Sequence, residues 1–266
     1  MIKLFVSDLD GTLLNRQLQI DEMNKKAILQ AMEQNVHIAI ASGRMSAEIR
    51  GLMSQYPAGS YAIGQNGATI YSREHHLLQA QQHIPQIAYD IIQQGKQYEE
   101  LVIFVHTIYD EAYIHERNAR TIQYEHRMIT AAKSVADLDR QVQQGSLACS
   151  KVTFLGDIRL LERLKEQLAS RLGNEAEIVV SDVDCMDVTP VGVSKGNAIQ
   201  LLMEKLALVP DEVACIGDSY NDLSMFKVVG HSFAMRHSDD QIKSEAKYVV
   251  DNVAEAIQFC LKNLID

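Results

Sequence analysis

The sequence predicts an α/β fold: a Rossmann-like parallel-sheet core covered by helices, with a second α/β domain inserted into it. Two observations carry that expectation. Strand-like and helix-like segments alternate at both ends of the chain, and the segments between them follow a different rhythm. Residues 2–7 (IKLFVS) form a short apolar run that reads as a strand. Residues 21–35 open on Asp21 as a helix N-cap and place Ala27, Ile28, Ala31 and Met32 at helical spacing. VHIAIA at 36–41 repeats the strand signal, Ser42-Gly43 breaks it, and 46–55 resumes as a helix, so the first 60 residues read βαβα. Such alternation argues for parallel strands joined by helical crossovers. In the last third a helix is expected near 195–208, a strand at 212–216 and a helix near 221–228, followed by short strands at 231–234 and 247–250 and a helix from about 253. The middle differs: 101–106, 111–115, 149–155 and 176–181 read as strands separated by longer, more polar helices. Residues 1–81 with 190–266 are therefore expected to form the core, and 82–189 the inserted domain.

Composition narrows the class of partner. Apolar residues make up 47% of the chain and charged residues 23%, with 14 Gly and 4 Pro, as in globular proteins that bury a sizeable core. Twenty-five basic side chains against 35 acidic ones leave a net charge of −10. Nucleic acid and anionic membrane surfaces attract basic proteins, so neither is expected as a partner. Cys149, Cys185, Cys215 and Cys260 form no CxxC pair and are expected to be reduced. Asp8 interrupts the N-terminal apolar run before a signal-peptide core could form, and no apolar run approaches the ~18 residues of a membrane span. A cytoplasmic location is the corresponding expectation.

Four loops that follow strand-like or turn segments carry the chemistry. Asp8 and Asp10 stand two residues apart after the first strand, where a parallel sheet opens its ligand crevice, and their shared charge calls for a cation. A calcium EF-hand loop does not fit, since Gly11 comes fourth rather than sixth and Leu13 and Leu14 follow. Ser42, Gly43 and Arg44 open a helix, where a hydroxyl and backbone amides suit a phosphate oxygen. Lys195 starts another helix, a placement its charge disfavours unless an anion is near. Asp218 and Asp222 follow the strand EVACI and complete an acidic cluster able to hold Mg2+ through hard oxygens.

In chain order, DLDGTL (8–13), ASGR (41–44), GQNGA (64–68), VTPVGVSKG (188–196) and GDSYND (217–222) resemble the haloacid dehalogenase-like phosphatases, specifically the Cof-type branch with a large α/β cap of the C2 type. The resemblance covers essentially the whole chain. It implies a Mg2+-dependent phosphatase of small phosphorylated metabolites, such as sugar phosphates or phosphorylated cofactors, with the inserted domain as its cap. By the same resemblance Asp8 is the nucleophile that becomes an aspartyl-phosphate, and Asp10 is the general acid and base. Mg2+ would be held by the Asp8 and Asp218 carboxylates and the Asp10 backbone carbonyl. Ser42, Gly43, Lys195 and Asn221 would hold the phosphoryl oxygens, with Asp222 orienting Lys195 or a metal-bound water. Gly11 would supply a left-handed turn and Thr12 a local hydrogen bond. Arg44 and Asn66 are candidate substrate-binding residues from the matched core segments. In the cap, His106, Tyr109, Tyr113, Arg117 and Arg120 could face a leaving group, although a packed or solvated role is the simpler account of each.

Three other functions compete. A phosphotransferase or phosphomutase would use the same intermediate on Asp8, and a binding protein would keep the fold without turnover. Gly192-Val193-Ser194-Lys195-Gly196 also satisfies the GxSxG elbow of serine hydrolases, with Asp218 and His231 or His237 as partners. Pro190 just before the turn and the unexplained Asp8/Asp10 pair count against that elbow.

Overall fold

A computed structural model describes residues 1–56, 59–125 and 131–263. The chain divides into two compact units, residues 1–78 with 194–266 and residues 79–193. The first opens with β1 (Leu4–Ser7), α1 (Glu22–Glu33), β2 (His37–Ala41), α2 (Ser46–Met53), β3 (Tyr61–Gly64), β4 (Thr69–Tyr71) and β5 (Leu77–Ala80). The second contains α3 (Pro85–Gly95), β6 (Val102–Thr107), β7 (Ala112–Ile114), α4 (Ala119–Glu125), β8 (Lys133–Ser134), α5 (Leu138–Gln143), β9 (Cys149–Leu155), α6 (Ile158–Leu172), β10 (Ala176–Asp182) and β11 (Cys185–Pro190). The chain then completes the first unit with α7 (Lys195–Leu206), β12 (Val213–Gly217), α8 (Leu223–Phe226), β13 (His231–Met235), α9 (Asp240–Glu245), β14 (Tyr248–Val250) and α10 (Val253–Asn263). The junctions lie at 78/79 and 193/194, whereas the sequence suggested 81/82 and 189/190; Pro190 stays with the inserted unit because it pairs with Ala176 in the β10–β11 ladder.

The first unit is built on an eight-stranded sheet of order β14-β13-β12-β1-β2-β3-β4-β5. β1 lies centrally, parallel to β2 on one side and β12 on the other, and parallel pairing continues through β3, β13 and β14. β4 reverses, pairing antiparallel with β3. Alternate β1 side chains enter two separate cores. Phe5 packs with Ile28 of α1, Ile49 of α2 and Ile257 of α10, while Leu4 and Val6 pack with Ile199 of α7 and Met225 of α8. That two-sided burial is why the strand reads as a continuous apolar run. Asp21 caps α1 by accepting from the Asn24 amide at 2.8 Å.

In the second unit the sheet order is β10-β11-β9-β6-β7-β8. Pairing is antiparallel except between β7 and β8. One face is covered by Ile91 and Ile92 of α3, Val142 of α5 and the Leu161, Leu164, Leu168 and Leu172 stripe of α6. Those leucines recur every three or four residues, the spacing of one helix face. Strands β3, β4, β5 and β8 lay outside the sequence expectation, being two to four residues long and joined through turns that leave no alternating pattern to detect. The helix expected near 221–228 is a 3-10 turn over Tyr220–Asp222 followed by the short α8.

Candidate active site

The site grows from the carboxyl ends of β1, β2 and β12. The Asp8 amide donates to the Ile216 carbonyl at 2.9 Å, so the β1–β12 ladder fixes where the Asp8 side chain emerges. Asp8 is only 4% exposed. Lys195 reaches it from the first turn of α7, where Ser194 is the N-cap, its hydroxyl accepting from the Asn197 amide at 3.1 Å. The buried Lys195 Nζ donates to Asp8 Oδ1 at 2.6 Å and to Asp222 Oδ1 at 2.7 Å. Two carboxylates thus offset both its desolvation and its poor position at a helix N-terminus. Asp222 Oδ2 accepts from the Asp218 and Ser219 amides, each at 2.9 Å. Gly217 makes room for this arrangement, since a Cβ there would sit 2.4 Å from the Asp222 carboxyl carbon.

Asp218 is placed from a different direction. Its Oδ1 accepts from the Thr12 hydroxyl at 3.1 Å, and its Oδ2 lies 3.6 Å from His237 Nε2. Gly11 has φ +80, and a Cβ at that residue would stand 2.4 Å from Asp218 Oδ2, so both conformation and space require glycine. Thr12 therefore bonds across 206 residues of sequence, not locally as the sequence suggested. His237, offered by the sequence only as a possible partner of the GxSxG elbow, stands in the turn after β13 and meets Asp218 through the tertiary fold.

Oxygens of Asp8, Asp218 and Asp222 lie within 4.8 Å of one another. Both Asp222 oxygens are already occupied, whereas Asp8 Oδ2 is buried without a hydrogen-bond partner. Three carboxylates share one ammonium. Burial drives the Asp8 carboxyl well above the ordinary carboxylate range, with Lys195 opposing and Asp222 and Asp218 adding to the rise. Burial raises Asp218 too, again reinforced by Asp222. For Lys195 burial acts downward, but Asp222 and Asp8 outweigh it and hold the ammonium charged. A hard divalent cation fits this donor set: it would neutralise the excess charge and engage the orphaned Asp8 oxygen.

Asp10 does not join the cluster through its side chain. Its two carboxylate oxygens accept from Arg44 Nε and a terminal Arg44 nitrogen at 2.8 and 2.7 Å, a bidentate pair. The Ser42 hydroxyl accepts from the Arg44 amide at 3.1 Å, and the Ser42 carbonyl accepts from the Asn66 amide at 2.9 Å. Asn66 holds φ +58 and its side-chain oxygen accepts from Asn221 Nδ2 at 3.2 Å. The fold thus brings Asp8, Lys195, Asp218 and Asp222 into one connected group, Asp10 with Arg44 into a second, and Asn66 with Asn221 into a third, all within the first unit.

The five candidates in the second unit have local environments. Tyr113 donates to Glu111 at 2.6 Å, Arg117 pairs with Glu125 at 2.8 Å, and Arg120 donates to the Glu99 carbonyl. Tyr109 is exposed. His106 is buried on β6, and burial, aided by Lys151, lowers its pKa well below that of a free imidazole. Among the described residues no helix is long and apolar enough to cross a membrane.

Residues 5–257 match the sequence profile of the haloacid dehalogenase-like hydrolases. The chain is 28% identical over 249 residues to the HMP-PP phosphatase of Enterobacter sp. (strain 638), covering 94% of this chain and 89% of the relative. The HMP-PP phosphatase of Klebsiella pneumoniae (strain 342) gives the same identity and coverage. Among solved structures, TM0651 of Thermotoga maritima superposes with a TM-score of 0.84 at 26% identity over 97% of both chains. A haloacid dehalogenase-like hydrolase of Bacteroides thetaiotaomicron superposes equally well, over 97% of this chain and 99% of its own.

Proposed function

Since the chain belongs to the haloacid dehalogenase-like hydrolase family, we infer that it is a Mg2+-dependent phosphatase of small phosphorylated metabolites that works through an aspartyl-phosphate on Asp8. The observation that carries this reading is the state of Asp8: a buried carboxylate at the end of β1, tied through one oxygen to Lys195 and unpartnered at the other. In the first step an Asp8 oxygen attacks phosphorus, the bond from phosphorus to the leaving-group oxygen breaks, and that oxygen takes a proton from Asp10. In the second, Asp10 removes a proton from water, the water oxygen attacks phosphorus, and the bond to Asp8 breaks to give inorganic phosphate. Lys195, held by Asp8 and Asp222 before substrate arrives, needs no reorganisation to stabilise charge on the phosphoryl group. Ser42, the Gly43 amide and Asn221 orient its oxygens. Asp8, Asp218 and the Asp10 carbonyl would hold Mg2+, which would further neutralise the phosphoryl charge.

Arg44 has a second part in this reading. Through its two hydrogen bonds Arg44 fixes the orientation of the Asp10 carboxylate. Substrate that draws the guanidinium toward its own anionic group releases Asp10, which couples binding to the acid–base step. The inserted domain acts as the cap that reads the leaving group.

Phosphate release across a panel of phosphorylated metabolites, with HMP-PP included because the relatives are named for it, tests the reading in Mg2+ and in EDTA. Release should require Mg2+, and Asp8→Asn and Asp10→Asn should each cut turnover by at least about 10²-fold without loss of folding. Wild-type turnover in either variant overturns the role given to that residue. Transfer of the phosphoryl group to a second substrate in place of water would instead identify a phosphotransferase.

A further inference from the structure

The turn between β3 and β4 holds two consecutive residues in the left-handed region, Gln65 at φ +53 and Asn66 at φ +58, followed by Gly67 at φ +108. Asparagine tolerates that conformation better than most residues, and glycine best. Gly67 is needed for room as well, since a Cβ there would stand 2.4 Å from the Ser194 carbonyl oxygen. Glycine would satisfy the Asn66 backbone just as well, so the Asn66 carboxamide calls for a separate reason. It is buried, with 5% of the residue exposed, and its oxygen accepts from Asn221 Nδ2 at 3.2 Å.

Both ends of that bond rest on fixed main chain. The Gln65 and Asn66 amides donate to the Arg44 and Ser42 carbonyls at 2.7 and 2.9 Å, which fastens the turn to the loop carrying Ser42, Gly43 and Arg44. Asn221 stands in the 3-10 turn after β12, where its carbonyl accepts from the Ser224 hydroxyl at 3.0 Å. The Ser224 hydroxyl in turn accepts from the Gly196 amide at 3.1 Å, next to Lys195. These contacts set the Asn221 backbone against α7 but leave its side chain to be oriented by something else. Among the described residues the partner of the Asn221 carboxamide is Asn66, because the Asn221 oxygen is buried without a hydrogen bond. A carboxamide nitrogen carries two N–H donors. Accepting one of them decides which end of the group is nitrogen and where the second N–H points, and a phosphoryl oxygen requires a donor.

We propose that Asn66 is a positioning residue and not a substrate ligand: by accepting from Asn221 it turns the second N–H of that carboxamide toward the phosphoryl group. This rests on the phosphatase reading, which puts Asn221 at the phosphoryl oxygens. The same bond joins the loop after β2 to the loop after β12 across 155 residues of sequence. Donors from both loops are thus oriented before the phosphoryl group arrives, and donors already in place need no rearrangement to stabilise it.

The test is a double-mutant cycle on the full chain: wild type, Asn66→Gly, Asn221→Ala and the double variant. Two quantities are read in Mg2+, the dissociation constant of inorganic phosphate by calorimetry and kcat and KM for p-nitrophenyl phosphate. Glycine keeps the positive φ and the main-chain bond to Ser42, so Asn66→Gly removes the side chain alone. It should weaken phosphate binding by about three- to tenfold, the scale of one hydrogen bond, and lower kcat/KM by a similar factor. Asn221→Ala should do at least as much. In the Asn221→Ala background, Asn66→Gly should change either quantity by less than about twofold, since the group it positions is gone. A purely structural Asn66 would lower the melting temperature and the yield of active enzyme, and would leave the phosphate constant where it was. Unchanged phosphate affinity in Asn66→Gly overturns the proposal, as does absence of phosphate binding in the wild type. An equal loss in both backgrounds also overturns it, and is the result expected if Asn66 touches the substrate directly. Coupled phosphate affinities without turnover of any phosphate ester would support the Asn66 role while removing the phosphatase reading; turnover with uncoupled affinities would overturn the Asn66 role alone.

Discussion

Each unit buries a lysine against carboxylate, in different surroundings. In the first, Lys195 is the one ammonium among three close carboxylates, and an Asp8 oxygen is left over. In the second, Lys151 meets Asp187 at 3.2 Å and the Thr153 hydroxyl donates to the same carboxylate at 2.6 Å. The strand register puts these side chains on one face of the sheet, Asp187 opposite Thr153 and His106 opposite Lys151. Desolvating an ion pair is tolerable when the pair is complete and hydrogen-bonded, and expensive when a charge is left over. The first unit therefore carries an excess of negative charge in its candidate site that a cation can relieve, while in the second the carboxylate already has an ammonium and a hydroxyl donor.

Breaking each pair should expose that difference. Lys195→Met strands Asp8 and Asp222 together and is expected to cost about 3–5 kcal/mol of stability by chemical denaturation. Mg2+ should restore part of that loss. Lys151→Met should also destabilise the protein, and Mg2+ should not rescue it; equal rescue of both variants would erase the contrast.

Acid should weaken the second unit next. His83 is buried, its Nε2 lies 3.3 Å from the Val188 carbonyl, and burial lowers its pKa to about 4. The unfolded chain takes up this proton near pH 6.5 and the folded protein only near pH 4, so stability falls as pH drops through that window. The total is about 3 kcal/mol for this one group, and His106 acts with the same sign. His83→Phe should flatten the pH dependence of the melting temperature between those limits.

A smaller effect of opposite sign is expected at Asp218. Its raised pKa means that its contribution to stability is present below the unfolded value and lost as pH rises through the folded one. At neutral pH, Asp218→Asn should stabilise the metal-free protein slightly and abolish the rise in melting temperature caused by Mg2+. Ser194→Ala removes the N-cap of α7 and should cost about 1 kcal/mol with turnover nearly unchanged. Loss of all activity with normal folding would instead revive the serine-hydrolase elbow.

Much of the site was legible in the sequence because its parts are local. Asp8, Ser42 and Asp218 each follow a short apolar run directly, and a strand end in an alternating α/β chain is where ligands bind. Gly11 was legible for the same reason, since a tight turn after a strand calls for a positive φ. The short strands β3, β4 and β5 were not, and neither was the bond from Asn221 to Asn66, because 155 residues separate its two ends.

By itself, the sequence determined the α/β class, the alternation that makes a parallel core, and which loops carry carboxylates, hydroxyls and a lysine. Only the tertiary structure decided how those groups pair. Lys195 and Asp8 are 187 residues apart, Thr12 and Asp218 are 206, and Arg44 takes up both oxygens of Asp10 although 34 residues separate them. Local patterns follow from backbone geometry over a few residues. The balance of a buried charge depends on every neighbour within a few ångströms, and those neighbours are chosen by the packing of strands and helices that lie far apart in the chain.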